Sequence, residues 1–278
     1  MNPLVETLLQ FKLLAVGLWF VLFFVLERWR PSAPQRLDRE TEATPQDKRN
    51  RLSRNAGLWL MTAVLSPLMV VPVSIWATEV DLGWTIIDWR GAIGLGGAEG
   101  TAFWIGLAVD ILLLDLFIYW WHRANHEIPL LWRFHEVHHL DRHLDTTSAV
   151  RFHWGEVLLS ASIRAVVIIA LDIPLASVLV FETLVLLGSI FHHSNVKLPK
   201  ALERSVGFVF ITPAIHWVHH HAIRPDTDSN YGTLFSFWDL VFRSRSKTIR
   251  TPVMEIGTQG REEKPFWRLM IAPFGKQD

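Results

Sequence analysis

Gly57 to Trp76 limits most strongly how this chain can fold, because its twenty residues include no charge. A helix of that length rises about 30 Å, the thickness of a bilayer's hydrocarbon core. Two more stretches read the same way. Leu8 to Leu26 is apolar except for Gln10 and Lys12, and Ala102 to Trp121 holds only Asp110 and Asp115 as charges. Val157 to Leu171 and Leu175 to Phe191 are each near or below the usual spanning length. Asp172-Ile173-Pro174 between them is a turn signal, so the pair reads as a helical hairpin that goes out and comes back over 157–191. The fourteen tryptophans fit this picture, since aromatic residues concentrate at membrane interfaces.

The expected fold is all-α: one integral membrane helix bundle over residues 1–278, with a cytosolic histidine-rich cap. Spans are expected at about 8–26, 57–76 and 102–121, followed by the hairpin, and the cap at 122–156 and 192–250. Orientation follows from the loops. Lys48 and Arg28, Arg30, Arg36, Arg39, Arg49, Arg51 and Arg54 all stand between the first two spans, which places that linker in the cytosol. Glu27-Arg28-Trp29-Arg30-Pro31 reads as a cytosolic stop and not as a cleavage site. The loop from Ala77 to Thr101 has Glu79, Asp81, Asp88 and Glu99 against Arg90 alone, and belongs outside. His122 then emerges on the cytosolic side, and the hairpin returns His192 and His193 to it. A multi-pass protein of a bacterial inner membrane is the expectation. The formal net charge of zero gives no reason to expect nucleic acid as a partner. With no cysteine, the chain offers no thiolate for an iron–sulfur cluster, no disulfide and no cysteine nucleophile.

All thirteen histidines lie between His122 and His221. His122 and His126 are four residues apart. His135, His138 and His139 stand at i, i+3 and i+4, and so do His216, His219 and His220. Residues at these spacings share a helix face. Eight imidazoles aimed from three helices are too many for one tetrahedral zinc. They suit two transition metals sharing a cage, and imidazole serves iron as well as zinc. Metal-bound histidines usually donate their other ring nitrogen to an acceptor. Asp115, two turns before His122, is the expected acceptor, with Asp239 and Asn230 weaker candidates. Glu156 and Glu182 have no assigned role.

At these residues the chain resembles the fatty acid hydroxylase / sterol desaturase superfamily of membrane oxygenases. The matching segments are His122-x-x-x-His126, His135-x-x-His138-His139, Arg151-Phe152-His153, Phe191-His192-His193-Ser194-Asn195 and Thr212-Pro213-x-x-His216-x-x-His219-His220. Asn230-Tyr231-Gly232-Thr233-Leu234 with Trp238-Asp239 matches the closing segment, so the resemblance covers roughly 105 to 243. It implies a di-iron site that uses O2 and two external electrons to hydroxylate or desaturate a lipid. The implied ligands are His122, His126, His135, His138, His139, His216, His219 and His220, with His153 and His193 as two further ones. His143, His192 and His221 read as surface or supporting residues. Two places depart from the family pattern. Trp217 stands where a basic residue is common, and Arg243-Ser244 replaces the usual Gly-Thr. No haem-binding or flavin-binding motif is visible, so the electrons are expected from a separate redox protein. The lipid is expected to enter sideways from the bilayer.

Two rival readings use the same residues. His135-Glu136-Val137-His138-His139 satisfies H-E-x-x-H, in which two histidines bind zinc and the glutamate is the general base of a protease. That reading leaves His138, the His122–His126 pair and the second triplet unexplained. A metal transporter or sensor is the non-enzymatic rival. Transport sites lie near the bilayer midplane, whereas these histidines cluster at one face.

Overall fold

The computed structural model describes residues 2–33, 45–80, 89–95 and 100–275. Arg36 and Arg39 of the linker, and Asp81, Asp88 and Glu99 of the expected outer loop, lie outside them. Among the described residues there is no strand, only isolated bridges, and the chain is a succession of helices. In a bilayer no water is available for stray N–H and C=O groups, and a helix pairs them within itself.

Helix α1 (Pro3–Gln10) meets α2 (Lys12–Trp29) at a 54° bend, so the stretch read as one continuous span breaks at Phe11. Helix α3 (Pro45–Leu65) starts well inside the expected linker and continues through a π-turn, Ser66–Val70, into α4 (Val71–Glu79). Pro67 and Pro72 lack the N–H that the ladder needs. One widened turn, closed by Val71 N–H on Ser66 O, absorbs them without ending the helix. The short α5 (Trp89–Ala92) precedes α6 (Gly100–Glu127). At 28 residues α6 is about 42 Å long, more than the apolar core needs, and its polar end carries His122 and His126. Ile128 is extended because Pro129 follows it, and the chain turns there into α7 (Pro129–His139).

Helices α8 (Trp154–Leu171) and α9 (Leu175–His193) form the hairpin, with Asp172 in the left-handed conformation at the turn (φ 50°). Among the described residues, four helical stretches are long and apolar enough to cross a membrane: Arg49–Glu79, Gly100–Glu127, Trp154–Leu171 and Leu175–His193. The bent α1–α2 pair makes a fifth if it counts as one span. Leu13, Leu14, Leu18, Val21 and Val25 on α2 are exposed, as a lipid-facing surface requires. The cap adds α10 (Lys200–Gly207), α11 (Pro213–His219), α12 (Arg224–Thr227), α13 (Phe237–Val241) and α14 (Phe266–Ile271).

Two polar networks fix the cap to the bundle. Arg51 donates from Nε to Asp141 Oδ1 (2.7 Å), from Nη1 to Asp145 Oδ2 (2.8 Å), and to His143 O. Arg151, fully buried, donates to Val137 O, Asn55 Oδ1 and Glu263 Oε1. Burial works to raise the Asp141 carboxyl, but Arg51 and Arg151 overcome it and hold the group well below the usual carboxylate range. The second network is built on α6. Asp115 accepts from Leu234 N (3.1 Å), Phe235 N (3.1 Å) and Trp238 Nε1 (3.0 Å). Asp239 takes Tyr231 N, Gly232 N and Ser244 Oγ. Gly232 is required here, since a Cβ would stand 2.7 Å from Phe235 O and 2.8 Å from Ile211 Cδ1.

Asp115→Ala leaves three donors without an acceptor in apolar surroundings, at a cost of roughly 2 to 4 kcal/mol. For a domain of this size that corresponds to a fall in melting temperature of about 5 to 10 °C. Thermal unfolding in detergent, followed by tryptophan fluorescence, measures it. A variant that melts with the wild type would show that this clamp contributes nothing.

Candidate metal centre

The cap gathers nine of the thirteen histidines into two adjacent groups. His122, His126, His135, His139 and His219 form one, and His138, His193, His216 and His220 the other. Within each group, one ligating atom per residue lies within 4.8 Å of all the others. The groups touch through His139 and His220, whose rings stack at 4.3 Å. The i, i+3, i+4 spacing accounts for this division. On α7, His135 and His139 face one group and His138 the other. At α11 and its C-terminal cap, His219 faces the first group, and His216 and His220 face the second.

The outer nitrogens determine what the inner ones can do. His122 Nδ1 donates to Tyr231 O (2.8 Å), His138 Nδ1 to Arg151 O (3.1 Å), His193 Nδ1 to Ser189 O (2.8 Å) and His219 Nδ1 to Ser229 O (2.7 Å). A carbonyl oxygen only accepts, so each proton must sit on Nδ1. His135 Nδ1 donates to Glu156 Oε1 (2.7 Å) and His126 Nδ1 to Asp228 Oδ1 (3.3 Å), with the same result. The inward nitrogens are therefore lone pairs. Burial first, and then neighbouring imidazoles, push His138, His139, His216, His219 and His220 well below the ordinary histidine pKa, which keeps them neutral.

His193 Nε2 lies 3.0 Å from both His138 Nε2 and His216 Nε2, and His220 Nε2 lies 3.1 Å from His216 Nε2. In the first group His122 Nε2 and His135 Nε2 are 3.2 Å apart. With no proton between His138 and His193 or between His122 and His135, these contacts are not hydrogen bonds. His126 Nε2, His219 Nε2 and both nitrogens of His139 are buried without a hydrogen-bond partner. Converging bare imidazole nitrogens fit a transition metal, which is attracted to the lone pairs that otherwise repel each other. Neither group contains a carboxylate or a thiolate.

Several expected residues stand elsewhere. His153 lies in neither group: it caps α8, accepting from Gly155 N at Nδ1 (2.9 Å) and donating from Nε2 to Met270 O (3.0 Å). Both of its nitrogens are used. Asp115 has no histidine among its hydrogen-bond partners and reaches the site only through the loop that carries Tyr231 O. Asp239 serves the same loop, and Asn230 bonds Ile215 O and Ser246 N. His143 stands 3.8 Å from Asp145, and His221 donates to Asp226 (2.7 Å). His192 packs 4.1 Å from His216, ring to ring, outside both groups.

Glu156 had no role from sequence, yet it is the acceptor that orients His135. Gly155 permits this, because a Cβ there would stand 2.6 Å from Phe134 Cε1 and hold α8 away from α7. Glu136, the general base of the protease reading, turns away from both groups and pairs with Arg261 at 3.3 Å.

A cavity of about 340 Å³ opens from the histidines into the bundle. His122, His135, His138, His193 and His216 line one end. Ile118, Val157, Phe181, Val185 and Leu186 form apolar walls between α6, α8 and α9.

A membrane-type helical bundle that presents two all-imidazole groups at the end of a largely apolar cavity defines a class, the histidine-box helical bundles. Comparison with known proteins identifies the family within it. Residues 107–244 match the fatty acid hydroxylase family model. The ornithine lipid hydroxylase OlsE of Rhizobium tropici is 25% identical over 171 residues, 62% of this chain and 51% of that protein. A cholesterol 25-hydroxylase-like protein of Danio rerio is 31% identical over 160 residues, 55% of this chain and 61% of its own length. Human alkylglycerol monooxygenase is 28% identical over 132 residues, 46% of this chain and 28% of that protein. The chain belongs to the fatty acid hydroxylase superfamily. Its match spans about half the length of the first of these relatives. No solved structure matches it.

Three variants separate the roles assigned by this geometry. His138→Ala removes a nitrogen from the second group and is expected to lower bound metal substantially. Glu136→Gln and His153→Ala leave both groups intact and should keep the wild-type metal content. His153→Ala should also lose about 1 kcal/mol of stability with its helix cap. Elemental analysis of purified protein reads the metal; full metal in His138→Ala beside loss in His153→Ala would invert the assignment.

Proposed function

We propose that this protein is a membrane-bound di-iron oxygenase that inserts oxygen into a lipid. The observation that carries the proposal is the cavity with two adjacent all-imidazole groups at one end and largely apolar walls beyond them. The relatives support it, being named as lipid hydroxylases and a monooxygenase.

His122, His126, His135, His139 and His219 would hold one iron, and His138, His193, His216 and His220 the other. Bound there, iron supplies the activation of O2 that lets an unactivated C–H bond react. The chain's own residues do the rest. Tyr231 O, Arg151 O, Ser189 O, Ser229 O, Glu156 and Asp228 keep each proton on the outer nitrogen, so that the inner one stays a donor to metal. The apolar walls align an alkyl chain with its reactive carbon toward the histidines and exclude water. In sum, substrate, O2, two electrons and two protons give a hydroxylated lipid and water; desaturation would instead remove two hydrogens. A separate redox protein supplies the electrons. Trp132 offers a route, its half-buried ring 5.0 Å from His126 and 5.4 Å from His139 beneath Arg224.

The cytosolic side is the proposed location of the histidines. Glu27, at the end of α2 and beside Arg28, accepts from Thr146 N and Asn195 N, so the arginine-rich linker leaves the bundle at the histidine end. A reporter fused after Asp278 is expected to be active in the cytosol.

Lipid mass spectrometry of expressing cells grown under isotopically heavy O2 tests the chemistry. Wild-type cells should show a lipid that has gained one heavy oxygen atom, or lost two hydrogens. Cells carrying His219→Ala should show neither. A product in which the new oxygen comes from water would sink the proposal.

A further inference from the structure

The histidines occupy only one end of the cavity. Farther in, where α8 and α9 face each other inside the bundle, Arg164 Nη2 lies 2.9 Å from Glu182 Oε1. Their side chains keep only 11% and 17% of their exposure. Arg164 stands about two turns beyond Glu156, and Glu182 about three turns before His193, roughly 12 and 16 Å along the helix axes. A charge pair at this depth is costly and marks function more often than stability.

The pair is also incomplete. Despite the short separation, Glu182 Oε1 has no donor in hydrogen-bonding geometry, and Arg164 Nε has no acceptor. Thr62 Oγ1, on the same cavity wall, is buried without a partner as well. In the pair itself, Arg164 Nε as donor and Glu182 Oε1 as acceptor, with cancelling charges, match a group that both accepts and donates and carries no net charge. A hydroxyl does this, and so does an amide. A carboxylate brings no proton for Glu182 and adds an uncompensated charge. Lys12 also lines the cavity, but it belongs to the lipid-facing helix α2 beside exposed Leu13 and Leu14, where its stem can carry the ammonium outward.

We propose that Arg164 and Glu182 form a subsite for a neutral hydroxyl or amide group of the lipid. The group would lie two to three helical turns from the carbon presented to the histidines. This inference rests on the lipid-oxygenase reading and narrows its substrate class to lipids with such a group, separated from the oxidised carbon by an apolar stretch.

The test is binding without turnover, in full-length protein purified in detergent, without reductant. The probes are 1-octadecanol, stearamide, stearate and octadecane, and the readout is quenching of tryptophan fluorescence. The alcohol and the amide are expected to bind about tenfold more tightly than octadecane, the effect of one good hydrogen bond. Stearate should bind more weakly than the alcohol. Glu182→Gln keeps the shape and leaves Arg164 uncompensated, so stearate should gain about tenfold. Arg164→Leu/Glu182→Leu should bind alcohol and alkane alike. If that double variant fails to fold, Glu182→Gln alone decides. Wild-type protein that binds stearate at least as tightly as 1-octadecanol, or Glu182→Gln that gains nothing for stearate, overturns the subsite. Because no oxygenation is measured, failure here leaves the oxygenase reading standing, and failure to oxygenate leaves the subsite standing.

Discussion

The structure depends on where nine imidazole protons are held. Each neutral ring has one, and in six of the nine rings an acceptor on the surrounding chain draws it to the outer nitrogen. Inner lone pairs then face each other at 3.0 Å between His138 and His193 and at 3.2 Å between His122 and His135, in a site sheltered from water. Such an arrangement is unfavourable by itself and becomes favourable around a cation, so metal binding and the final packing of the cap are expected to be one event. The acceptors are mostly backbone carbonyls, from the Arg151 segment, from α9 and from the 229–231 loop. They are placed correctly only if those segments are held rigidly.

Buried charge provides that rigidity. Arg51, Arg151 and Asp141 hold the 141–153 segment, and Asp115 and Asp239 hold the loop from Tyr231 to Trp238. Arg51, Arg151 and Asp141 are in ion pairs, and Asp115 and Asp239 each accept three hydrogen bonds, as burial in low dielectric requires. The structure accounts for the two departures from the family pattern. Arg243 adopts φ 56°, which a glycine takes without strain, so the usual glycine there is a backbone requirement that this chain meets at a cost. Ser244 keeps the hydroxyl that bonds Asp239 Oδ1 and meets the Tyr119 hydroxyl at 2.7 Å. Trp217 stands where a cation is common, and Arg250 restores one by stacking 3.7 Å over its ring.

The cavity joins two different environments. Its histidine end is polar, fixed and near the helix ends, whereas its inner part is walled by side chains of helices long and apolar enough to cross a membrane. The cavity thus gives a continuous path from the apolar interior of the bundle to the two histidine groups. Arg164 and Glu182 place a charge pair in this wall, and this makes the pair informative about what the cavity holds.

The sequence by itself determined the class of fold and most of the site's membership. Uncharged runs of spanning length admit little besides helices in a bilayer, and the i, i+4 pair on α6 with the i, i+3, i+4 triplets on α7 and around α11 assigned eight histidines to shared faces before any packing was known. These are local properties, set by helix periodicity and by the cost of burying charge. Tertiary structure alone decided how the faces meet. It divided His138 from His135 and His139, set His193 beside His138, and left His153 outside with both nitrogens engaged. It gave Asp115 to a loop instead of a histidine, and it brought Glu156 to His135 across a glycine contact. It also turned the apolar hairpin into a cavity wall with Arg164 opposite Glu182. No periodicity carries that information, because each of these contacts joins segments whose separation and register depend on the packing of the whole bundle.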